Sequence, residues 1–130
     1  VCVTGKKRVL LMDDDREVRE TATGLLASFG FEVVATSDGK EAVDAYRESL
    51  AAGVKYDFCI LDLVIPGGVS GIDCARGIRA LDESAVLLVS SGYSDDPVLS
   101  HYRDYGFVGI IPKPYTREEM QEVLRRALVL

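Results

Sequence analysis

At 130 residues the chain is long enough for one self-supporting domain, because folding at this size buries roughly two-thirds of the surface that the unfolded chain exposes. Hydrophobic residues at 48% and charged residues at 28% argue against disorder or a fibrous repeat, and no uncharged apolar run is long enough to span a bilayer. Fifteen Lys and Arg against 21 Asp and Glu leave a formal charge of −6, and no basic cluster exceeds Lys6-Lys7-Arg8, which argues against nucleic acid as a direct ligand.

Residues 9–12 are a continuous apolar run, the pattern of a central parallel strand covered on both faces. Val18, Ala22, Leu25 and Phe29 follow at helical spacing, with Gly30 just past them as a stop signal. Residues 31–36, broken by Glu32, read as an edge strand, and Asp38 ahead of Glu41 opens a helix carrying Ala42, Val43 and Tyr46. A second central run, 58–61, precedes helical Ile72, Ala75 and Ile78. A third, 85–89, precedes a helix with Pro97 in its first turn and Val98, Tyr102 and Tyr105 on one face. Residues 107–111, broken by Gly109, read as the other edge strand, and Thr116-Arg117-Glu118-Glu119 has capping-box spacing ahead of Met120, Val123, Leu124 and Ala127. Five strand and helix pairs in strict alternation predict an α/β fold: a (βα)5 doubly wound, parallel five-stranded sheet with the flavodoxin-like order 2-1-3-4-5. Ligands of such sheets bind outside the carboxyl ends of the strands.

Those ends carry the informative residues. The first strand runs into Asp13-Asp14-Asp15; helix capping and a favourable dipole interaction account for one or two of the three. The 58–61 run ends at Asp62, which the predicted fold brings beside Asp13 and Asp14. Carboxylates about 5 Å apart repel by roughly 3 kcal/mol at an effective dielectric near 20, and a hard divalent cation such as Mg²⁺ resolves that cost. The 85–89 run leads to Ser90-Ser91-Gly92 and the 107–111 run to Pro112-Lys113-Pro114. Taken singly, these are ordinary turn and loop residues. Together they add a hydroxyl and an ammonium to an acid cluster, the set needed to hold a phosphoryl group on a carboxylate.

On these residues the chain resembles the receiver domains of two-component signalling. The resemblance covers 7–130 and leaves 1–6 as a loose N-terminal end. It implies that Asp62 is the phosphoacceptor, that Asp14 binds Mg²⁺ directly, and that Asp13 acts mainly through metal-bound water. Asp62 and the Val64 backbone carbonyl would complete the metal's protein ligands. Asp15 has no such role and reads as a helix cap. Lys113 would pair with the phosphoryl group, with its bond to Pro114 typically cis. Ser91 rather than Ser90 is the matching hydroxyl, since it stands 22 positions before Lys113 (113 − 91) and precedes a small residue; Ser90 would point from the opposite face. The implied partners are a histidine kinase or histidine phosphotransfer domain as donor and a downstream effector. The domain is expected to be a self-catalysed phosphoacceptor rather than an enzyme, cytoplasmic and without membrane contact.

Two departures stand out. The position three before Lys113, an aromatic switch residue in many receivers, is Ile110, so signal output is expected to run through another surface. The loop at 65–71 is one residue longer than the common form, and with the stretch 90–97 it resembles receivers appended to hybrid sensor histidine kinases. A start at Val1 fits an excised piece of a longer chain. His101, the single histidine, is expected in the fourth helix with a surface or packing role. Cys2, Cys59 and Cys74 lack metal-ligand spacing and suggest free thiols in a reducing cytosol. Two alternatives are a haloacid-dehalogenase-like phosphatase using the Asp13-x-Asp15 spacing, and a phosphate-independent receiver-like interaction module. The first is opposed by Glu17, where Thr or Val is usual, and by the absence of room for a cap domain.

Overall fold

The three continuous apolar runs become strands buried on both faces. The computed structural model describes residues 7–63, 65, 70–92 and 97–128. The expected loose end at 1–6, which includes Cys2, the Val64 carbonyl, and positions 66–69 and 93–96 of the two marker loops lie outside the described residues. Strands β1 (Arg8–Met12), β2 (Glu32–Thr36), β3 (Phe58–Asp62), β4 (Leu87–Ser91) and β5 (Phe107–Pro112) alternate with helices α1 (Arg16–Ser28), α2 (Gly39–Ala51), α3 (Gly71–Leu81), α4 (Pro97–Ser100) and α5 (Arg117–Leu128). The sheet is parallel, in the order β2-β1-β3-β4-β5, as the alternation predicts. Both runs broken by a polar or glycine residue stand at its edges.

Successive strand residues feed opposite cores. Leu10, Met12, Cys59, Leu61, Leu87 and Val89 join Ala42, Tyr46, Cys74 and Ile78 on the α2 and α3 side. Val9, Leu11, Phe58, Ile60, Leu88 and Ile111 join Ala22, Leu26, Met120 and Leu124 on the α1 and α5 side. Each fully buried Leu, Ile or Phe side chain contributes about 1.5–3 kcal/mol. Cys59 and Cys74 are free and buried, and burial pushes both thiols up, Cys74 to about 12, which keeps them as apolar packing groups.

The end signals act as read, with two exceptions. Asp15 caps α1 by accepting from the N–H groups of Glu17 and Val18, and Asp38 Oδ1 accepts from Glu41 N at 2.9 Å. Gly30 takes the left-handed conformation, φ 95°, at the end of α1. Thr116 Oγ1 accepts from Glu119 N at 3.2 Å. The first exception is β4, which is shifted two residues toward the carboxyl end of the 85–89 run. Its ladder to β5 runs from Leu87↔Phe107 to Ser91↔Pro112, so Ser90 and Ser91 belong to the strand.

The second exception is the fourth helix, which ends at Ser100 and is followed by a 3₁₀ turn, Tyr102–Tyr105. His101 sits at the junction with φ −124° and ψ 34°. The physical reason lies in its flanks. Pro97 starts the segment and Gly106, at φ 89°, stops it, leaving too few residues for a stable α-helix, and tyrosines three apart suit 3₁₀ geometry. His101 therefore lies just past the fourth helix and not within it; its side chain is exposed, in line with the surface role expected for it, with Nδ1 3.8 Å from Asp104.

Candidate functional site

Four chain segments converge at the carboxyl end of the sheet. Asp13 follows β1 directly and is fully buried. Its N–H donates to the Thr36 carbonyl at 3.1 Å, and the Thr36 hydroxyl donates to the Leu11 carbonyl at 2.9 Å, so β2 fixes the turn from behind. Asp13 Oδ1 accepts from Asp15 N at 2.9 Å, and the Arg19 guanidinium donates to the Asp13 carbonyl at 2.8 Å. Asp14 is exposed. Asp62, the last residue of β3, is 5% exposed. A Cβ built on Gly71 would lie 2.5 Å from the Asp62 carbonyl oxygen, so the first residue of α3 can pack on Asp62 only because it has no side chain.

Lys113 extends from the end of β5 across this group. Its Nζ lies 2.6 Å from Asp13 Oδ2 and 3.1 Å from Asp62 Oδ2. Burial works against the ammonium, but the Asp13 hydrogen bond and the charges of Asp62 and Asp13 outweigh it, and the net shift is upward. Lys113 N donates to the Ser91 carbonyl at 3.2 Å, which fixes the β4 and β5 ends side by side. Ser91 is 7% exposed and Ser90 fully buried. The Ser90 hydroxyl stands 2.6 Å from the Tyr115 hydroxyl, within the core on the α1 and α5 side to which Tyr115 belongs. The Lys113–Pro114 peptide is cis.

One oxygen each from Asp13, Asp14 and Asp62 lie within 4.8 Å of one another. Octahedral oxygens around Mg²⁺ stand roughly 2.9 to 4.1 Å apart, so a small closure brings the three into range. Apart from the Lys113 ammonium, Asp13 Oδ2 is buried with no hydrogen-bond partner among the described residues. Three carboxylates facing one ammonium leave two negative charges uncompensated, which is the charge of one divalent cation. The donor set, all hard oxygen, fits Mg²⁺.

The geometry thus brings together Asp13, Asp14, Asp62 and Lys113, with Ser91 at the neighbouring strand end. Asp15 is held in its capping role, which leaves the Asp13-x-Asp15 pair with only one carboxylate turned to the pocket. Sequence reasoning missed Arg19, Thr36, Gly71 and Tyr115. Arg19 carried a weak signal, one helical turn beyond the cap Asp15. The other three depend on approaches between distant segments that no local pattern encodes.

A family model described as the response regulator receiver domain matches residues 9–125. The transcription factor SKN7 of Candida albicans is 27% identical over 124 residues, covering 95% of this chain and 21% of that protein. The transcriptional regulatory protein CpxR of Escherichia coli is 30% identical over 122 residues, covering 93% and 49%. The chain therefore spans less than half the length of these curated relatives. Among solved structures, a chain of the CheX–CheY–BeF3–Mg²⁺ complex of Borrelia burgdorferi superposes with a TM-score of 0.85 at 26% identity, covering 98% of this chain and 93% of that one. The receiver domain of sensor histidine kinase PA1611 from Pseudomonas aeruginosa, with a magnesium ion in its active-site cleft, superposes with a TM-score of 0.82 at 22% identity, covering 97% and 100%.

Proposed function

The chain belongs to the response regulator receiver domain family, and from that premise we propose that Asp62 accepts a phosphoryl group from the phosphohistidine of a kinase or phosphotransfer domain, switching a protein-protein surface. The observation that carries this reading is the junction of Asp62 and Asp13 on one ammonium, Lys113, at the ends of three strands. An Asp62 oxygen forms the new P–O bond in line as the P–N bond breaks, and the donor imidazole keeps that electron pair. Lys113 takes a phosphoryl oxygen, and Ser91 supplies a hydroxyl to another. Water later attacks phosphorus, the P–O bond to Asp62 breaks, and inorganic phosphate leaves as the carboxylate is restored.

Asp13, Asp14 and Asp62, with the Val64 carbonyl, would hold Mg²⁺. When bound, the ion offsets charge on the acids and on the phosphoryl oxygens. Asp13 keeps its carboxylate fixed through Asp15 N and Lys113, so the acids are positioned before any donor arrives.

A phosphoryl group brings roughly two negative charges into the pocket. Lys113 and Ser91 would move toward it, and the elements that carry them, β5 and β4, would shift a two-state equilibrium. With Ile110 three residues before Lys113, this coupling needs a route other than an aromatic rotation. Among the described residues no helix is long and apolar enough to cross a membrane; we place the domain in the cytoplasm, residues 7–130 forming the receiver, as one part of a longer signalling protein such as a hybrid kinase.

Incubation with Mg²⁺ and a small-molecule phosphodonor, followed by intact-mass measurement, is expected to add one phosphoryl group to the wild type and none to Asp62→Asn. An adduct of equal yield in the Asn variant would overturn the assignment.

A further inference from the structure

We infer that the buried Ser90–Tyr115 hydroxyl pair is a positioning device for Lys113, setting where its ammonium meets the phosphoryl group. The inference rests on the phosphoacceptor reading above. The two oxygens are 2.6 Å apart, Ser90 is fully buried and Tyr115 9% exposed. Ser90 is the register partner of Asp62 on one side and of Ile111 on the other, and its carbonyl accepts from Leu63 N at 2.9 Å. It is thus locked to the strand end that carries Asp62. Tyr115 lies two residues beyond Lys113 and is locked by its ring in the core on the α1 and α5 side. The hydroxyl pair ties these two fixed points together, while the Lys113 side chain, two residues before Tyr115, reaches Asp13 and Asp62.

No local rule requires a hydroxyl at either position, and a buried hydroxyl is unfavourable unless paired. A Phe at 115 and an Ala at 90 would fill the same space at lower desolvation cost. The pair therefore adds geometric definition to a site where a displacement of an ångström can cost a hundred-fold in rate. It also supplies what Ile110 cannot: a link from β4 to the segment bearing the lysine, made by side chains and not by rotation of an aromatic ring at 110.

The test uses beryllofluoride as the phosphoryl mimic at saturating Mg²⁺, with Ser90→Ala/Tyr115→Phe. The double variant removes both hydroxyls and leaves neither orphaned; Tyr115→Phe alone is the second variant should the double one fold poorly. Beryllofluoride affinity is expected to fall on the order of ten-fold, with Mg²⁺ affinity unchanged because the acids are untouched. In a Lys113→Ala background the same two substitutions should have no further effect on beryllofluoride affinity. A hydroxyl pair that is only structural would lower the melting temperature equally in both backgrounds and leave beryllofluoride affinity within two-fold of its parent; that result overturns the inference. A wild type that binds no beryllofluoride at all would instead overturn the phosphoacceptor reading, and the inference with it.

Discussion

Gly71 shows how little free space surrounds Asp62. Adding one methyl group there drives a carbon to 2.5 Å from the Asp62 carbonyl oxygen and 3.1 Å from Leu63 Cα, both backbone atoms that cannot swing aside. Gly71→Ala is expected to destabilise the protein by about 1–3 kcal/mol and to slow phosphorylation of Asp62, because the strand end must move to accept it. Melting curves and the phosphodonor assay check both, and an Ala variant that melts and reacts like wild type would show that α3 can shift freely. The residue scale is also where the sequence was most and least informative. Asp13, Asp62 and Lys113 were legible because each terminates a strand, and strand ends follow from apolar runs. Gly71, Arg19 and the Ser90–Tyr115 pair were not, because each acts on atoms of a segment distant in the chain or on a backbone group. Asp14 occupies an intermediate place: its position in the triplet was plain, but not that it alone of the three site acids is exposed.

Among the elements, α3 is held at its C-terminus by a side chain that titrates. Asp82 accepts from Ser84 N and Oγ at 3.0 and 2.7 Å and from the Tyr46 hydroxyl at 2.7 Å, and Lys55 lies 3.4 Å away. The Ser84 hydroxyl, then the Tyr46 phenol, hold its carboxyl well below the usual carboxylate range, against a smaller opposing effect of burial. A depressed carboxylate contributes stability that is present above its unfolded pKa and lost as pH falls through the folded one. The stability gap between wild type and Asp82→Asn is therefore expected to be full at pH 7 and to narrow below about pH 4. Urea titrations at several pH values measure it, and a gap that stays constant down to pH 2.5 would contradict the assignment. Helices α1, α2, α3 and α5 were legible from apolar spacing and caps. The shortened α4 was not, because the 3.6-residue spacing of Val98, Tyr102 and Tyr105 also accommodates a one-turn helix followed by a 3₁₀ turn, and Gly106 decides between them.

For the whole molecule, the net charge of −6 matters through one pocket. Asp14 has no ion pair among the described residues, whereas Asp13 shares Lys113 with Asp62. Metal-free Asp14→Asn is accordingly expected to melt higher than wild type, since it removes repulsion and breaks no pair. Asp13→Asn is expected to gain nothing, since Lys113 loses its closest partner. Millimolar Mg²⁺ should raise the melting temperature of wild type, by about 2.7 kcal/mol of stability at a hundred times its dissociation constant, and that of Asp14→Asn far less. Equal responses in a thermal shift series would argue against cation binding by these acids. The edges of the sheet have their own bearing on how such a molecule behaves at high concentration. In the pairing of β4 with β5 the register slips between Leu87 and Leu88, so that Val108 is an extra residue on the outer strand, and β5 ends on Pro112, which has no N–H to offer. At the other margin Arg8 pairs with Glu32 on β2, a half-exposed charge. A parallel sheet with an open, regular border can recruit further strands from its neighbours; here one border is kinked and closed by proline and the other carries charge, both of which oppose strand addition.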